Sequence, residues 1–276
     1  MRIATTLTVL TLSILTSTAV AQSQASNTLL APWQRGINVS IKTQPAMKVW
    51  FWFYEWNMFE AVKPGQHTGG KYTGNDIVVN DTRTQGSITV SPDLKVDITA
   101  VPDGAELLLT ITNKSAHDWP RLAAIIPCFN PGPANNRNPQ FTNEDTWFLA
   151  PDGLTRTIKR QIHFNQTLRK AIDKEADPQD PDNPYAWTNK WPRTDPNATV
   201  GLLLRRSNDK QWVMAIAWDR FLSVQAHNPW LCMHQSIHIG PLRRGETRTV
   251  RGRIYILKTT PEQVVERYRK DFAGKK

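Results

Sequence analysis

Past its first 21 residues the 276-residue sequence has no long apolar run, which excludes a membrane-spanning helix from the remainder. No Cys lies beside Ala19-Val20-Ala21, which argues against a bacterial lipoprotein anchor there. There is no Ser-His-Asp elbow, H-E-x-x-H pair or Walker signature, so serine hydrolase, zincin and NTPase chemistry lack their usual frames. No helical periodicity separates the apolar runs, which argues against a parallel α/β fold. A repeat period and an internal linker are missing too. Only two cysteines occur, Cys128 and Cys232. An oxidising compartment would let them pair, a point the sequence leaves open.

The chain does have an N-terminal export pattern. Arg2 precedes a run from Ile3 to Val20, and an A-x-A site predicts cleavage before Gln22. The run is rich in Thr and Ser, unlike an anchor. The expected location is secreted or periplasmic, with residues 1–21 as signal peptide and no stable membrane insertion. Residues 22–46 read as an irregular segment and 47–276 as a single domain, which is ample for one core. Lys and Arg number 34 against 24 Asp and Glu, a net charge of +10. That balance favours acidic partners such as an anionic polysaccharide, though a solvated basic surface would look the same. Arg243, Arg244, Arg248, Arg251 and Arg253 alternate with apolar residues, the habit of a strand and not of a disordered nucleic-acid-binding tail. No nucleic-acid partner and no cofactor is expected, and the oligomeric state is left open.

Short alternating runs punctuated by Pro, Gly, Asn and Asp predict an all-β protein. The expected fold is a large antiparallel β-sandwich, supersandwich-like, with long loops and a short C-terminal helix. Leu94, Val96, Ile98 and Ala100 lead through Pro102-Asp103-Gly104 to Leu107, Leu109 and Ile111, a hairpin. Further strands are predicted at 122–126, 155–163, 200–204 and 212–218. Thr260-Pro261-Glu262-Gln263 is a helix start with a capping box and a first-turn Pro. Between Phe164 and Thr199 lies a segment loaded with Asp, Asn and Pro, either a functional loop or a flexible excursion.

From Trp230 to Gly240 the residues separate by parity. Leu231, Met233, Ile237 and Ile239 take one face, and Trp230, Cys232, His234, Ser236 and His238 the other. The next strand repeats this, with Val250, Ile254 and Ile256 inward and Arg251, Arg253 and Tyr255 outward. A hairpin across Pro241–Glu246 would set His234 opposite Arg253, Ser236 opposite Arg251 and Cys232 opposite Tyr255. Such a wall could clamp an anion and move a proton, or could be an inert polar face. A metal site from His227, His234 and His238 is disfavoured, because residues four apart on a strand stand about 13 Å apart. Cys232 with His234 makes only two ligands, short of a zinc set.

The segment Val49–Glu60 alternates Trp50, Trp52, Tyr54 and Trp56 with Phe51, Phe53 and Glu55. Burial on both faces is its default reading. Even so, 11 Trp is a heavy load, and exposed Trp with Asn, Asp and Arg nearby is what a sugar face requires. Glu55 sits among aromatics that would raise its pKa towards general-acid duty. His67, in Pro64–Gly70, and Trp147, in Asn143–Trp147, add further candidates on polar loops.

Asn228–His234, Gly240–Glu246 and Arg251–Tyr255 together resemble the closing hairpin of uncharacterised exported bacterial β-sandwich proteins. These are similar in broad pattern to the galactose-mutarotase-like supersandwich of carbohydrate enzymes. The resemblance covers the last third of the chain. It implies a His working with an acidic residue on a concave sheet face, with His234 at the matching position. The expected function is a secreted carbohydrate-active protein, either an enzyme of lyase, hydrolase or epimerase type on an anionic glycan or a non-catalytic glycan-binding or envelope protein. Its candidate catalytic residues are His234, Glu55 and His67. Arg251, Arg253, Tyr255, Trp56, Trp230 and Trp147 are the candidates for substrate binding.

Overall fold

The computed structural model describes residues 27–53, 75–91, 93–133, 140–175 and 192–273. The export segment, Glu55, Trp56, His67 and residues 176–191 lie outside the described residues. In chain order the strands are β1 (Thr28–Trp33), β2 (Gly36–Ile41), β3 (Gln44–Phe53), β4 (Asp76–Val79), β5 (Gln85–Ser91), β6 (Leu94–Val101), β7 (Gly104–Thr112), β8 (Ala124–Ile125) and β9 (Pro127–Pro131). There follow β10 (Thr146–Ala150), β11 (Gly153–Arg156), β12 (Ile162–Phe164), helix α1 (Arg169–Glu175), β13 (Leu202–Arg206), β14 (Val213–Trp218), β15 (Phe221–Gln225), β16 (Met233–His238), β17 (Thr247–Leu257) and helix α2 (Pro261–Phe272).

They form a sandwich of two antiparallel sheets. The first sheet runs β1-β2-β3-β9-β16-β15-β12, with β8 also on β16, and the second runs β11-β10-β13-β14-β17-β7-β6-β5-β4. Alternation decides which side chains lie between them. Val39, Phe51, Phe129, Met233 and Ile237 of the first sheet meet Val96, Leu109, Leu203, Ile216 and Ile254 of the second in one buried core. The β6–β7 hairpin forms as its sequence predicts, with Asp97 opposite Leu108. Its turn needs Gly104, whose φ of +145° suits glycine and whose Cβ, if present, would stand 1.9 Å from the Ile254 carbonyl oxygen.

Helix α2 also starts as predicted. The Thr260 side chain accepts from the Gln263 N–H in a complete capping box, with Pro261 in the first turn. Val264, Val265 and Tyr268 bury themselves on Leu202, Leu204, Ala215 and Tyr255, so the helix covers part of the second sheet's outer face. No helix among the described residues is long and apolar enough to cross a membrane.

Three expectations are corrected. Much of the segment read as irregular is regular: β1, β2 and the start of β3 occupy residues 28–46, and β1 pairs with β2 from Thr28–Ile41 to Trp33–Gly36. The strand expected at 155–163 divides, because β11 belongs to the second sheet and β12 to the first. The third correction moves the expected site. β16 and β17 do not pair; β16 lies between β15 and β9 in the first sheet, and β17 between β14 and β7 in the second. Met233, Ile237, Ile239, Val250, Ile254 and Ile256 are buried as alternation assigned, whereas Leu231 is half-buried in the loop before β16, so parity was right on the strands and partnership was not. A period of two fixes the face a residue points to and leaves its neighbouring strand undetermined.

Candidate functional site

The outer face of the first sheet gathers the chemistry. Register aligns Trp52 with Cys128, Cys128 with His234, and His234 with Gln225 in one row across β3, β9, β16 and β15. Two residues along, Asn38, Trp50 and Asn130 form a second row. Beyond His234 the Ser223 and Ser236 hydroxyls bond at 2.9 Å. Trp33, at the end of β1, stands edge-on to Trp50 and Trp52 at centroid distances of 5.1 and 5.5 Å. Such T-shaped contacts suit the positive edge and negative face of an indole. Phe129 and Met233 face the core, so Cys128, Asn130 and His234, their alternate neighbours, face away from it.

Cys232 reaches this face from a loop, not from a strand. The Asn228 side chain holds that loop: its Oδ1 accepts from the N–H groups of Trp230 (3.0 Å) and Cys232 (3.2 Å), and its Nδ2 donates to the Cys232 carbonyl at 2.7 Å. Asn143 Nδ2 donates to the Asn228 carbonyl at 2.7 Å. Two non-glycine residues of the loop, His227 and Leu231, adopt left-handed φ values of 62° and 59°. Such conformations persist where surrounding bonds over-determine them. The result is a compact trio in which the thiol sulfurs of Cys128 and Cys232 and a ring nitrogen of His234 all lie within 4.8 Å of one another. Cys128 Sγ stands 3.2 Å from His234 Nε2.

Arg205 anchors the loop from the opposite sheet. It shares the inward parity of Leu203 on β13 and is wholly buried. Its Nε donates to Thr146 Oγ1 at 2.7 Å, one terminal nitrogen to the Leu231 carbonyl at 2.6 Å, and the other to Asn143 Oδ1 at 3.1 Å. Among the described residues no carboxylate lies in ion-pair reach. Burial pulls its pKa down to about 10, opposed by the negative charge available at Cys232 and Glu144.

Among the described residues, Trp33 Nε1, Trp52 Nε1 and Gln225 Oε1 on the first sheet's outer face find no hydrogen-bond partner. They comprise two donors and one acceptor. Trp52 and Gln225 are nearly fully buried, with 2% and 5% of their surface exposed. Buried polar groups are ordinarily bonded, so orphans collected on one face ask for a ligand or for water.

His234 is thus central, and Trp230, half exposed on the Cys232 loop, stands at the rim, its carbonyl accepting from Asn130 Nδ2 at 3.1 Å. The other predicted binding residues lie elsewhere. Arg251, Arg253 and Tyr255 are on the second sheet, so the expected wall with His234 does not form. Arg253 pairs with Asp103 at 2.7 Å and Glu106 at 3.1 Å, and Arg251 with Asp219 at 3.3 Å. Tyr255 is buried under α2, where its hydroxyl donates to Asp271 at 3.1 Å and its pKa is raised by burial and that carboxylate. The two arginines line a cleft of about 610 Å³ with Glu106, Asp271 and Phe272. Trp147, on β10, lies under the Arg156 guanidinium at 4.7 Å, away from His234.

Three other histidines have structural settings. His238 Nε2 donates to the Arg121 carbonyl at 2.7 Å, and desolvation with three nearby arginines pulls its pKa down to about 4. His163 faces inward, with Nδ1 donating to the Pro196 carbonyl at 2.8 Å and Nε2 accepting from the Ile158 N–H at 3.3 Å. His227 Nε2 lies 4.0 Å from Glu144. Sequence reasoning missed Cys128, Asn130, Trp33 and Arg205. One signal for the first two was present: Cys128 and Asn130 alternate with Phe129 as His234 and Ser236 alternate with Met233. Nothing local marks β9 and β16, about a hundred residues apart, as neighbours.

No family model and no curated protein matches this chain. Solved structures with a similar course include a galactose mutarotase-like protein from Lactobacillus casei, 10% identical, with 84% of this chain and 98% of that one covered and a TM-score of 0.44. A polysaccharide lyase is 8% identical, with 87% of this chain but 34% of that one covered and a TM-score of 0.44. A putative aldose 1-epimerase from Escherichia coli K12 is 8% identical, with 84% and 99% covered and a TM-score of 0.36. At these levels no statement about activity follows from the likeness.

Proposed function

We propose that this is a carbohydrate-active protein of the cell exterior that holds a saccharide against the outer face of the first sheet, with His234 as its proton-transfer group. The observation that carries this reading is the composition of the face. Three indoles stand beside Asn38, Asn130, Gln225 and His234, and two indole N–H groups and one amide oxygen there are buried without a partner among the described residues. A sugar offers a flat apolar face for the first group and hydroxyls that both donate and accept for the second. The export pattern supports the location. The net charge of +10 favours the approach of an anionic glycan. Arg251 and Arg253 have internal carboxylates and take no part in this site.

The test is calorimetric binding and turnover on a panel of neutral and acidic polysaccharides. Trp33→Phe and Gln225→Met each remove one partnerless polar atom while keeping most of the apolar contact. Each should weaken binding by roughly five-fold, the scale of one hydrogen bond. His234→Ala should abolish turnover while the indoles still bind. No binding and no turnover on any glycan would sink the reading, as would binding untouched by both polar deletions.

A further inference from the structure

We propose that Cys128, Cys232 and His234 form a binding site for a thiophilic closed-shell metal ion of the zinc(II) or copper(I) class. Two sulfurs and one ring nitrogen, from two adjacent strands and a braced loop, converge within 4.8 Å, and all three residues are buried. Around a tetrahedral ion with metal–sulfur bonds of about 2.3 Å and metal–nitrogen bonds of about 2.0 Å, sulfur and nitrogen donors stand roughly 3.5 Å apart and two sulfurs roughly 3.8 Å. The 3.2 Å between Cys128 Sγ and His234 Nε2 is close to that spacing, and side-chain rotation can bring in the rest. Thiolate and imidazole donors select soft or borderline ions over magnesium or calcium.

A second observation is independent of the trio's geometry. Arg205 places a buried positive charge against the Cys232 loop and has no carboxylate in reach among the described residues, so a thiolate is a natural counter-charge. Two thiolates, one guanidinium and a monovalent ion sum to zero charge. With a divalent ion, a hydroxide in the remaining position restores neutrality. The loop is built to hold Cys232 where it is, with Asn228, Asn143 and Arg205 all bonded to it and Leu231 left-handed immediately before the cysteine.

Three protein donors leave one tetrahedral position, the arrangement of catalytic rather than structural zinc sites. Trp52 clusters with both cysteines, so the trio borders the proposed saccharide face. A bound ion would act there as a Lewis acid towards a sugar oxygen, with His234 serving as a ligand, so the proton-transfer role given to His234 above is that of the metal-free protein. This last step rests on the saccharide reading; the site itself does not.

The full mature chain, reduced and stripped of metal, is titrated with zinc(II), with cobalt(II) as a spectroscopic probe, and separately with copper(I) under anaerobic conditions. Expected are one equivalent bound per chain and a thiolate-to-cobalt charge-transfer band. Cys128→Ser and Cys232→Ser should each weaken that band and lower affinity by at least ten-fold, with circular dichroism confirming the fold. Arg205→Lys, which keeps the charge, should bind more tightly than Arg205→Met. Zinc and copper(I) are told apart by which competes for the site at equal excess. The proposal is overturned if the reduced protein binds none of the three ions stoichiometrically, or if the Cys128→Ser/Cys232→Ser double variant binds as well as the parent. Saccharide binding measured on metal-stripped protein separates the two proposals, since either can fail alone.

Discussion

Replacing Arg205 with Met tests whether one buried guanidinium bolts the two sheets together at the site. Burial lowers its pKa from 12.5 to about 10, which amounts to about 3 kcal/mol against the charged form. Against this stand three charge-assisted hydrogen bonds, to Thr146, Leu231 and Asn143, at roughly 2 kcal/mol each. Their sum of about 6 kcal/mol leaves a net stabilisation of roughly 2 to 3 kcal/mol. Arg205→Met keeps much of the volume, removes the charge and leaves the Leu231 carbonyl and Asn143 amide oxygen without their donor. At about 2–4 °C per kcal/mol for a chain of this size, Tm should fall by roughly 5–10 °C. Thermal unfolding by circular dichroism reads this directly, and Arg205→Lys should lie between the two. A Met variant as stable as the parent, or more so, would show that desolvation outweighs the bonds and refute the role assigned to Arg205.

Two further perturbations follow from the same packing. His238 titrates at 6.5 when unfolded and about 4 when folded, with desolvation the main cause and Arg220, Arg248 and Arg121 adding to it. Between those values the unfolded chain binds the extra proton, so its contribution is fully present above pH 6.5 and lost as pH falls to about 4. The loss is roughly 3 kcal/mol over the window, and His238→Gln should flatten the pH dependence of the urea midpoint there. A Gln variant with the parent's slope would assign the acid sensitivity to other groups. Gly252 lies under the Trp218 ring, and a Cβ there would sit 2.5 Å from Cε3. Trp218 is fully buried and has little room to yield, so Gly252→Ala should cost about 1–3 kcal/mol in urea unfolding, and an unchanged midpoint would contradict the contact.

The sandwich was legible where its determinants are local. Period-two alternation marked Leu94–Ile111, Val213–Trp218 and both strands flanking Pro241–Glu246, and Thr260-Pro261-Glu262-Gln263 marked α2 to within a residue. The site was legible only in part. His234 stood out because a titratable residue alternated with apolar ones, and Cys232 stood out beside it. Their completion by Cys128, Asn130 and Trp52 depends on β9 entering between β3 and β16, a long-range choice that alternation does not encode. The Arg251–Arg253 strand was assigned to the same wall because a short turn between two strands ordinarily means a hairpin. Here that turn carries the chain from one sheet to the other, and the arginines meet carboxylates of their own sheet and of α2.

The most direct test of the central claim is hydroxyl-radical footprinting of the protein with and without a bound saccharide. Both Trp33 and Trp50 are partly exposed, Trp230 is 51% exposed, and indoles react readily, so each reports on whether the face is covered. Protection of Trp33, Trp50 and Trp230, with Phe272 beside Arg251 unchanged, is the predicted result. Protection of Phe272 with the three tryptophans unchanged would move the site to the second sheet and contradict the account.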